Sequence, residues 1–475
     1  MKRLAIAGGA LAAVTLLLSS GGYAAYKLKL FSSTETERGE VVERNEAVAP
    51  PPRRRPRPQA SWPMFRYDER RTGHNPNARA RPPFRIRWIG KAPSRGYLEA
   101  GLVVEDGILV VATYAKRSGS DLTAVNARTG RRLWRRHYRH GTNFANSPAI
   151  DRGRVYITSR DGHLRAFDLR TGRVRWQINL PGDATESTPI VSRGVLYFGQ
   201  FNGFMNAYSV RTRRRLWRHR AGSENIAGGV ALTRATAYFG TYAGSVYALN
   251  RFNGRLRWKT TVRGARANLV PFYSTPAVAG GKVVIGGNDG SVYALDARTG
   301  RQRWRFDSQG YVYASPAVWG GRVFIGDFGG GFHALSLRTG RRMWTRQMGP
   351  VLGSATVMRK IVYISSLRPP RTVGLSAQTG RVLWRFRDGQ YSPVVADGRE
   401  AWLAGKRRFY ALRMVAPRRP PRSRGRALRA RAARLRATRL RAARLRAARL
   451  RAARLRAARA PWAGPPRARG LDDAR

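Results

Sequence analysis

The chain has 475 residues, 42% of them hydrophobic, and its 91 basic residues outnumber 26 acidic ones for a formal net charge of +65. It contains no cysteine, which excludes disulfides, thiolate metal sites, cysteine nucleophiles and lipid attachment through cysteine. Arginine outnumbers lysine so strongly that the codon composition of a GC-rich genome explains the excess better than a need for charge, although such a surface attracts anions in either case.

The N-terminal segment from Leu4 to Tyr26 is an uncharged, mostly apolar run of 23 residues with basic residues on both sides. A helix of this length spans a bilayer. We therefore predict a signal anchor, a transmembrane helix within residues 1–30, in a single-pass protein of the cell membrane whose body lies on the extracytoplasmic side. A cleaved signal peptide with its core at residues 4–18 is the alternative.

Residues 31–61 are predicted to form a linker. Their first part is acidic, and a later stretch from Pro50 to Pro58 consists of proline and arginine. Such a composition cannot bury an apolar core, and the proline-rich part favours an extended polyproline II conformation. We expect a spacer that holds the folded part off the membrane.

The folded part is dominated by one motif that occurs seven times, most clearly from Val292 to Trp304. An apolar strand runs into Asp296, whose side chain can bond backbone groups two residues on, and Gly300 closes a tight turn before the strand that carries Trp304. The seven tryptophans stand at positions 134, 176, 217, 258, 304, 344 and 384, with spacings of 40 to 46 residues. Four short antiparallel strands in such a repeat predict a β-propeller blade.

The two ends of the repeat region predict how the propeller closes. The last repeat, Ser392 to Met414, supplies three strands and stops without a tryptophan strand. An orphan strand precedes the first repeat, from Phe84 to Ile89, and its alternation predicts Phe84, Ile86 and Trp88 on one side. Pairing the two ends gives an all-β, eight-bladed propeller over residues 62–416 with no exposed edge.

Residues 417–475 are an Arg/Ala-rich low-complexity tail built on the five-residue repeat Arg-Ala-Ala-Arg-Leu. Its composition permits a helix, but a period of five makes the leucines spiral around a helix rather than form one apolar face. We predict an expanded, mostly disordered tail, with polyanion binding as the second interpretation.

The pattern Ala-x-Asp-x-x-Thr-Gly-x-x-x-Trp, at residues 294–304 and 166–176, resembles the repeat of the quinoprotein (pyrroloquinoline quinone, PQQ) β-propeller family. The opening Trp62-Pro-x-Phe65 and Arg71-Thr-Gly73 also resemble the start of such domains. The family includes quinone-dependent dehydrogenases and the lipoprotein scaffold of the outer-membrane β-barrel assembly machinery. The dehydrogenases typically have adjacent cysteines and the lipoprotein a lipid-bearing cysteine, and this chain has neither.

The resemblance implies that each tryptophan wedges between neighbouring blades. This structural docking role is expected for Trp88, Trp134, Trp176, Trp217, Trp258, Trp304, Trp344 and Trp384. Asp151, Asp168 and Asp296 are expected to stabilise turns.

In such a propeller the loop before the first strand of each blade forms one rim of the central channel. The candidate ligand-binding residues on this rim are Asn146, Glu186, Glu224, Asn225, Asn268, Tyr273, Tyr313 and Tyr391. A Glu/Asn pair could ligate calcium, but loop residues that hydrogen-bond and neutralise arginine are the favoured interpretation. The six histidines show no metal-ligand spacing, and no nucleophile-elbow motif is present.

The sequence therefore predicts a membrane-tethered, extracytoplasmic propeller that binds or scaffolds other molecules without catalysis, cofactor or metal. One alternative is a PQQ-dependent oxidoreductase that uses PQQ with calcium. A second alternative is a protein that binds an anionic polymer or a lipid headgroup. The expected partners are proteins or an anionic cell-envelope polymer; nucleic acid is not expected, because the aromatic residues already have a packing role.

Overall fold

Thirty-two strands make up eight four-stranded antiparallel sheets in the part of the chain that the computed structural model describes. That part is residues 61–415, without 94–96, 99, 116–118, 140, 145, 181–184, 223–224, 263–269 and 392–393, together with scattered positions between 434 and 448. The predicted signal anchor and linker lie outside it. No helix among the described residues is long and apolar enough to cross a membrane.

Each sheet is one blade, and consecutive strands of a blade run from the inside of the ring outward. Blade 1 contains β2 (Val103–Glu105), β3 (Ile108–Ala115), β4 (Gly119–Asn126) and β5 (Arg132–Tyr138). Blade 2 contains β6 (Ala149–Asp151), β7 (Arg154–Ser159), β8 (His163–Asp168) and β9 (Val174–Asn179). Blade 3 contains β10 (Ile190–Ser192), β11 (Val195–Gly199), β12 (Phe204–Ser209) and β13 (Arg215–Arg220). Blade 4 contains β14 (Ala231–Leu232), β15 (Thr236–Gly240), β16 (Ser245–Asn250) and β17 (Leu256–Thr261).

The second half of the ring repeats this order. Blade 5 contains β18 (Ala277–Ala279), β19 (Lys282–Gly286), β20 (Ser291–Asp296) and β21 (Gln302–Asp307). Blade 6 contains β22 (Ala317–Trp319), β23 (Arg322–Gly326), β24 (Gly331–Ser336) and β25 (Arg342–Gln347). Blade 7 contains β26 (Thr356–Met358), β27 (Ile361–Leu367), β28 (Pro370–Ser376) and β29 (Val382–Phe386). Blade 8 contains β30 (Val395–Asp397), β31 (Glu400–Ala404), β32 (Arg408–Met414) and β1 (Phe84–Lys91).

Blade 8 joins the two ends of the repeat region. Strand β1 pairs antiparallel with β32, from Phe84 opposite Met414 to Lys91 opposite Arg408. The eight-bladed, all-β propeller closed by this pairing is thus confirmed, and the edge of β32 is covered.

The outer strand of every blade carries a β-bulge just before its tryptophan. In blade 5, Leu295 pairs with Gln302 and Ala294 with Trp304, so the intervening Arg303 has no partner residue. Strand β1 has the same shift between Ile86 and Trp88. The prediction that Ile86 and Trp88 share one side is therefore wrong, because the bulge reverses the alternation and leaves Ile86 exposed.

The turn between the third and fourth strands explains the recurring Asp-x-x-Thr-Gly motif. In blade 5, Asp296 Oδ1 accepts hydrogen bonds from the backbone N–H groups of Arg298 and Thr299, both at 2.9 Å. Gly300 completes the turn at φ +76°, in the left-handed region that favours glycine. Arg303, the bulge residue, donates to Asp296 Oδ2 at 2.6 Å, so the turn and the bulge stabilise each other.

Six tryptophans dock on the next blade in the same manner. A Cβ atom on Gly300 would come within 2.6 Å of the Trp258 ring, so only glycine permits this approach. Trp258 Nε1 also donates to the carbonyl oxygen of Ala297, three residues before that glycine, at 3.2 Å. The same pair of contacts occurs at Trp88, Trp134, Trp217, Trp304 and Trp344.

The other two predicted docking residues have different surroundings. The turn that follows Trp176 in the ring has Arg213 where the others have glycine, at φ 63°, and Trp176 Nε1 is buried without a hydrogen-bond partner. Trp384 precedes the composite blade, which lacks the turn, and packs edge-on against Phe84 with ring centroids 5.3 Å apart. Strand β1 thus supplies an aromatic surface where the turn is missing.

The tail forms a separate unit of the chain. Its described positions between 434 and 448 are helical, and Leu435, Leu440 and Leu445 are exposed. These positions are helical rather than irregular, and the exposed leucines agree with the absence of one apolar face. The remaining tail, for which disorder was predicted, lies outside the described residues.

Candidate functional site

Residues 62–80, here called the axial segment, run along the inner strands of the blades. Backbone hydrogen bonds join Trp62 to Val104 in blade 1 and Pro63 to Ile150 in blade 2. Further backbone bonds reach Leu232, Val278, Val318, Val357 and Gly398 in blades 4 to 8, and Ser192 of blade 3 bonds the Glu69 carboxylate at 2.7 Å. Because it contacts all eight blades, the axial segment fills the channel at this level.

Two fully buried arginines fix the axial segment in place. Arg66 donates to the carbonyl oxygens of Pro316 and Ala355, and Arg71 donates to that of Val230 at 2.9 Å. Burial lowers the pKa of both guanidinium groups to about 9, which reflects the cost of placing charge in the interior. Carbonyl oxygens at the starts of several inner strands offset that cost.

The serines of the Ser-Pro and Ser-Thr-Pro steps that open the repeats form hydrogen bonds between neighbouring blades near the rim. Ser147 Oγ accepts the N–H of Gly101 at 2.6 Å, and Ser187 Oγ donates to the carbonyl of Gly228 at 2.8 Å. Ser315, and Ser354 in a Ser-Ala step, make equivalent bonds, each accepting a backbone N–H from the preceding blade at 3.0 Å. These hydroxyls hold the rim loops at fixed positions.

A continuous row of tyrosines occupies the rim over blades 4 to 6. The ring centroids of Tyr242 and Tyr273 lie 4.4 Å apart, those of Tyr273 and Tyr313 lie 5.4 Å apart, and those of Tyr311 and Tyr313 lie 6.4 Å apart. We call these four residues the tyrosine arc. Burial raises the pKa of Tyr242 and Tyr273, and that of Tyr313 to about 12, so their hydroxyls stay protonated at neutral pH.

An ion pair lies at one end of the tyrosine arc. Arg160 of blade 2 bonds Glu186 before blade 3, and both charges interact electrostatically with Tyr242 and Tyr273. The charge of Glu186 is therefore balanced by that of Arg160.

Buried oxygen atoms without partners lie beside this ion pair. Asn146 donates through Nδ2 to the backbone and side-chain oxygens of Thr158, at 3.0 and 2.8 Å, and its buried Oδ1 accepts no bond. Thr241, next to Tyr242, likewise has a buried hydroxyl without a partner. Such atoms favour a polar ligand or water, since a buried polar group is costly when unpaired.

The structure brings together only part of the predicted rim set. Glu186, Tyr273 and Tyr313 belong to one surface, and the Asn225 carbonyl joins it by accepting the Tyr242 N–H at 3.0 Å. The Tyr391 carbonyl packs against Gly353 at the start of blade 7. Glu224 and Asn268 lie outside the described residues.

Sequence reasoning missed three members of this surface. Arg160 and Tyr242 belong to turns between the second and third strands, and Tyr311 stands two residues before Tyr313. A signal for the turn position existed, because Phe201 and Phe328 occupy the place of Tyr242 in blades 3 and 6. The channel rim is built from these turns as well as from the loops before the inner strands.

The described rim residues include no cluster of acidic side chains of the kind that holds calcium. Calcium takes about six to eight oxygen ligands. Among the described residues no three His, Asp or Glu side chains lie close enough to hold a metal, and Glu186 is engaged with Arg160. The unpartnered Asn146 Oδ1 is one oxygen ligand atom of the described rim, and the predicted ligands Glu224 and Asn268 lie outside the described residues.

The family follows from comparison with known proteins. A family model described as outer membrane protein assembly factor BamB matches residues 85–260, 262–367 and 333–416. The chain belongs to this family. The match covers the propeller from strand β1 to the end of β32, which is the part in which all eight blades were found.

Curated relatives of this BamB-family chain are dehydrogenases. A segment of 131 residues is 29% identical to 1-butanol dehydrogenase (cytochrome c) of Thauera butanivorans, over 25% of this chain and 18% of that protein. A segment of 111 residues is 28% identical to polyvinylalcohol dehydrogenase of a Sphingopyxis species, over 20% of this chain and 17% of that protein. The chain thus matches less than a fifth of the length of either relative.

Solved structures share the fold across most of the chain. BamB from Moraxella catarrhalis superposes with a TM-score of 0.58 at 16% identity, covering 70% of this chain and 100% of that one. Quinohemoprotein alcohol dehydrogenase from Comamonas testosteroni gives 0.63 at 16% identity, covering 76% and 82%. At these identities the likeness shows the propeller fold alone.

Proposed function

We propose that this BamB-family propeller is a non-catalytic module that binds a protein partner through the tyrosine arc. The observation that carries the proposal is the contact of Tyr242, Tyr273, Tyr313 and Tyr311 in one row on the rim. Tyrosine is enriched in protein interfaces because it offers a large, rigid contact area and a hydroxyl at a small entropic cost. The serine hydrogen bonds between neighbouring blades hold the loops of the tyrosine arc in place before a partner binds.

The axial segment supports a surface role for the rim. It fills the channel beneath the arc, and its buried arginines bond the strand starts from which the rim loops emerge. A partner therefore meets rim loops that the axial segment holds in place. The family description, an assembly factor, is in keeping with a binding role.

Crosslinking at two positions tests this proposal. A photoreactive phenylalanine analogue replaces Tyr313 in the arc or, as a control, Val174, which is 44% exposed on the outer strand of blade 2. In cells we expect a discrete crosslinked protein at position 313 that is lost when Tyr273→Ala and Tyr311→Ala are added. Equal products at both positions, or none at position 313, would contradict the proposal.

A quinone-dependent oxidoreductase is the second candidate, and the dehydrogenase relatives are the observation in its favour. The test adds PQQ and calcium to the purified chain, followed by gel filtration, absorbance spectroscopy and dye-linked alcohol oxidation. A protein-bound chromophore with alcohol oxidation would establish this candidate in place of the binding module. On the proposal, neither is expected.

We further propose that residues 1–30 tether the propeller to the extracytoplasmic face of the cell membrane. The apolar run from Leu4 to Tyr26 supports this. Cell fractionation and protease protection of the full chain should place it in membranes with the propeller accessible from outside the cytoplasm. A chain beginning at residue 61 should leave the membrane fraction.

A further inference from the structure

A basic groove lies between the axial segment and blades 6 to 8. It encloses about 1720 Å³. Seven basic side chains line it, from Arg79, Arg81, Arg346, Arg359, Lys360, Arg381 and Arg399, and none of its lining residues is acidic. Within the described part of the chain, none of the seven forms an ion pair with a carboxylate.

The groove is separate from the tyrosine arc. Most of its basic residues lie in or beside turns that follow the first or third strand of a blade, whereas the arc lies on turns after the second strand and on loops before the first. In an antiparallel blade these two sets of turns are at opposite ends of the strands. The groove therefore goes beyond the proposed function, and neither depends on the other.

Five segments of the chain bring basic residues to the groove. Arg79 comes from the end of the axial segment and Arg81 lies just beyond it. Arg346 comes from strand β25, where its Nε donates to the Gly380 carbonyl at 2.9 Å. Blade 7 and blade 8 supply the rest from their turns. The fold therefore brings together basic residues that are far apart in the sequence, so the groove is not the product of one basic stretch of the chain.

The turn between β26 and β27, which lines the groove, has a non-glycine residue with positive φ at both of its central positions. Arg359 and Lys360 have φ angles of 47° and 67°, in the left-handed region. Blades 5 and 6 place two glycines at the equivalent positions, Gly280–Gly281 and Gly320–Gly321. A non-glycine residue held in this region is strained. Both side chains are exposed, so packing does not offset the strain.

We propose that the basic groove binds a linear anion that carries at least two phosphate groups. Arginine forks match phosphate oxygens in a bidentate manner, and six of the seven cations are arginines. Ser376, Gln378 and Thr379 add neutral hydrogen-bonding groups along the same wall. The number of unpaired cations exceeds what one phosphate group would engage. Phosphate groups of this kind occur in soluble polyphosphate chains and in the headgroups of anionic lipids.

The test uses the turn itself. Arg359→Gly with Lys360→Gly recreates the Gly-Gly turn of blades 5 and 6, so the fold is retained and the melting temperature should not fall. The control, Arg211→Gln with Arg298→Gln, removes the same charge from exposed turns of blades 3 and 5 that do not line the groove. All three proteins are full chains and carry the same tail.

Titration calorimetry with tripolyphosphate measures the affinity at several salt concentrations. We expect the glycine variant to bind about tenfold more weakly, with the slope of log affinity against log salt reduced by about two, and the control to change by less than about twofold. Unchanged affinity in the glycine variant, or equal losses in variant and control, would overturn the proposal. Vesicles that contain cardiolipin, whose headgroup carries two phosphate groups, form the second arm: a loss restricted to tripolyphosphate identifies a soluble ligand, and a loss in both arms includes lipid headgroups.

Discussion

Six of the eight docking tryptophans combine close packing on a turn glycine with a hydrogen bond to the next blade, and Trp176 is one of the two exceptions. It is buried like the others, but its turn has Arg213 in place of glycine and its Nε1 has no partner. Trp304 Nε1, in contrast, donates to the Leu337 carbonyl at 3.0 Å. The same substitution therefore removes different interactions at the two positions.

Trp304→Phe should destabilise the propeller more than Trp176→Phe. Both changes reduce ring volume, but only the first breaks a part-buried hydrogen bond to a carbonyl oxygen, which contributes about 0.5–1.5 kcal/mol. Trp258→Phe, which loses the bond to Ala297, is the matched control and should behave like Trp304→Phe. Denaturant unfolding of the three variants measures the differences. Equal losses at positions 176 and 304 would show that the bond contributes nothing.

Asp397 predicts a pH dependence at the residue scale. Burial, with the nearby charges of Glu400 and Asp106, raises its pKa to about 6. In the unfolded chain it titrates near its ordinary value of 3.8, so above about pH 6 the folded state holds a charge that the unfolded state solvates better. This penalty is complete above pH 6 and disappears as the pH falls through 3.8.

Asp397→Asn should consequently raise the melting temperature at pH 7.5 and leave it nearly unchanged at pH 3.5. Asp307, whose carboxylate bonds Arg305 at 3.0 Å on the surface, provides the comparison. Asp307→Asn should not stabilise the protein at either pH. A gain for Asp397→Asn that persists at pH 3.5 would mean that the effect is not one of ionisation.

At the scale of elements, the axial segment is the feature that local sequence patterns could not reveal. The strands, the turns and the closure by β1 follow from alternation, from Asp-x-x-Thr-Gly and from a count of strands. The axial segment instead depends on contacts between distant residues, such as Arg66 with the Ala355 carbonyl 289 positions away. Its sequence, Trp62-Pro-x-Phe65 with Arg71-Thr-Gly73, indicates the start of the domain but does not predict that the segment enters the channel.

The bulges and the candidate site were only partly predictable for related reasons. A bulge at Arg87 or Arg303 is a property of pairing and not of one strand's composition. Tyr273 and Tyr313 could be placed on the rim because the repeat fixes where each inner strand begins. The same reasoning does not reach Tyr242, because this residue lies on a turn after the second strand of blade 4 and not on a loop before an inner strand.

Arg71 and its neighbour Arg70 provide a test of the axial segment. Arg71 is fully buried and donates to backbone carbonyls, whereas the side chain of Arg70 is exposed. Arg71→Ala leaves buried carbonyl oxygens without donors and should cost about 1–3 kcal/mol for each such group. Arg71→Lys should recover little of it, since a single ammonium group cannot reproduce the guanidinium fork.

Arg70→Ala is expected to change stability by no more than about 0.5 kcal/mol. Thermal and denaturant unfolding of the three variants give the comparison. If Arg71→Ala were as stable as Arg70→Ala, the axial segment would be a passive filling of the channel and not a part of its framework.

At the scale of the whole molecule, the ring depends on two different contributions from residues 62–91. The axial segment fills the channel and bonds the inner strands, while β1 covers the edge of β32. The axial segment acts in the channel and β1 acts at the edge of blade 8, so loss of one and loss of the other should have different consequences. Loss of filling lowers stability, and loss of closure exposes an edge that pairs with other chains.

Truncations at three starting points separate these contributions. A chain that begins at residue 61 keeps both and should be a monomer with the full melting temperature. One that begins at residue 82 loses the axial segment but keeps β1, and it should remain monomeric with a clearly lower melting temperature, because the starts of several inner strands lose their hydrogen-bond partners. One that begins at residue 92 also loses β1 and should aggregate through β32. Size exclusion with light scattering and thermal melting distinguish the three, and identical behaviour of the chains starting at 82 and 92 would show that the ring closes without the composite blade.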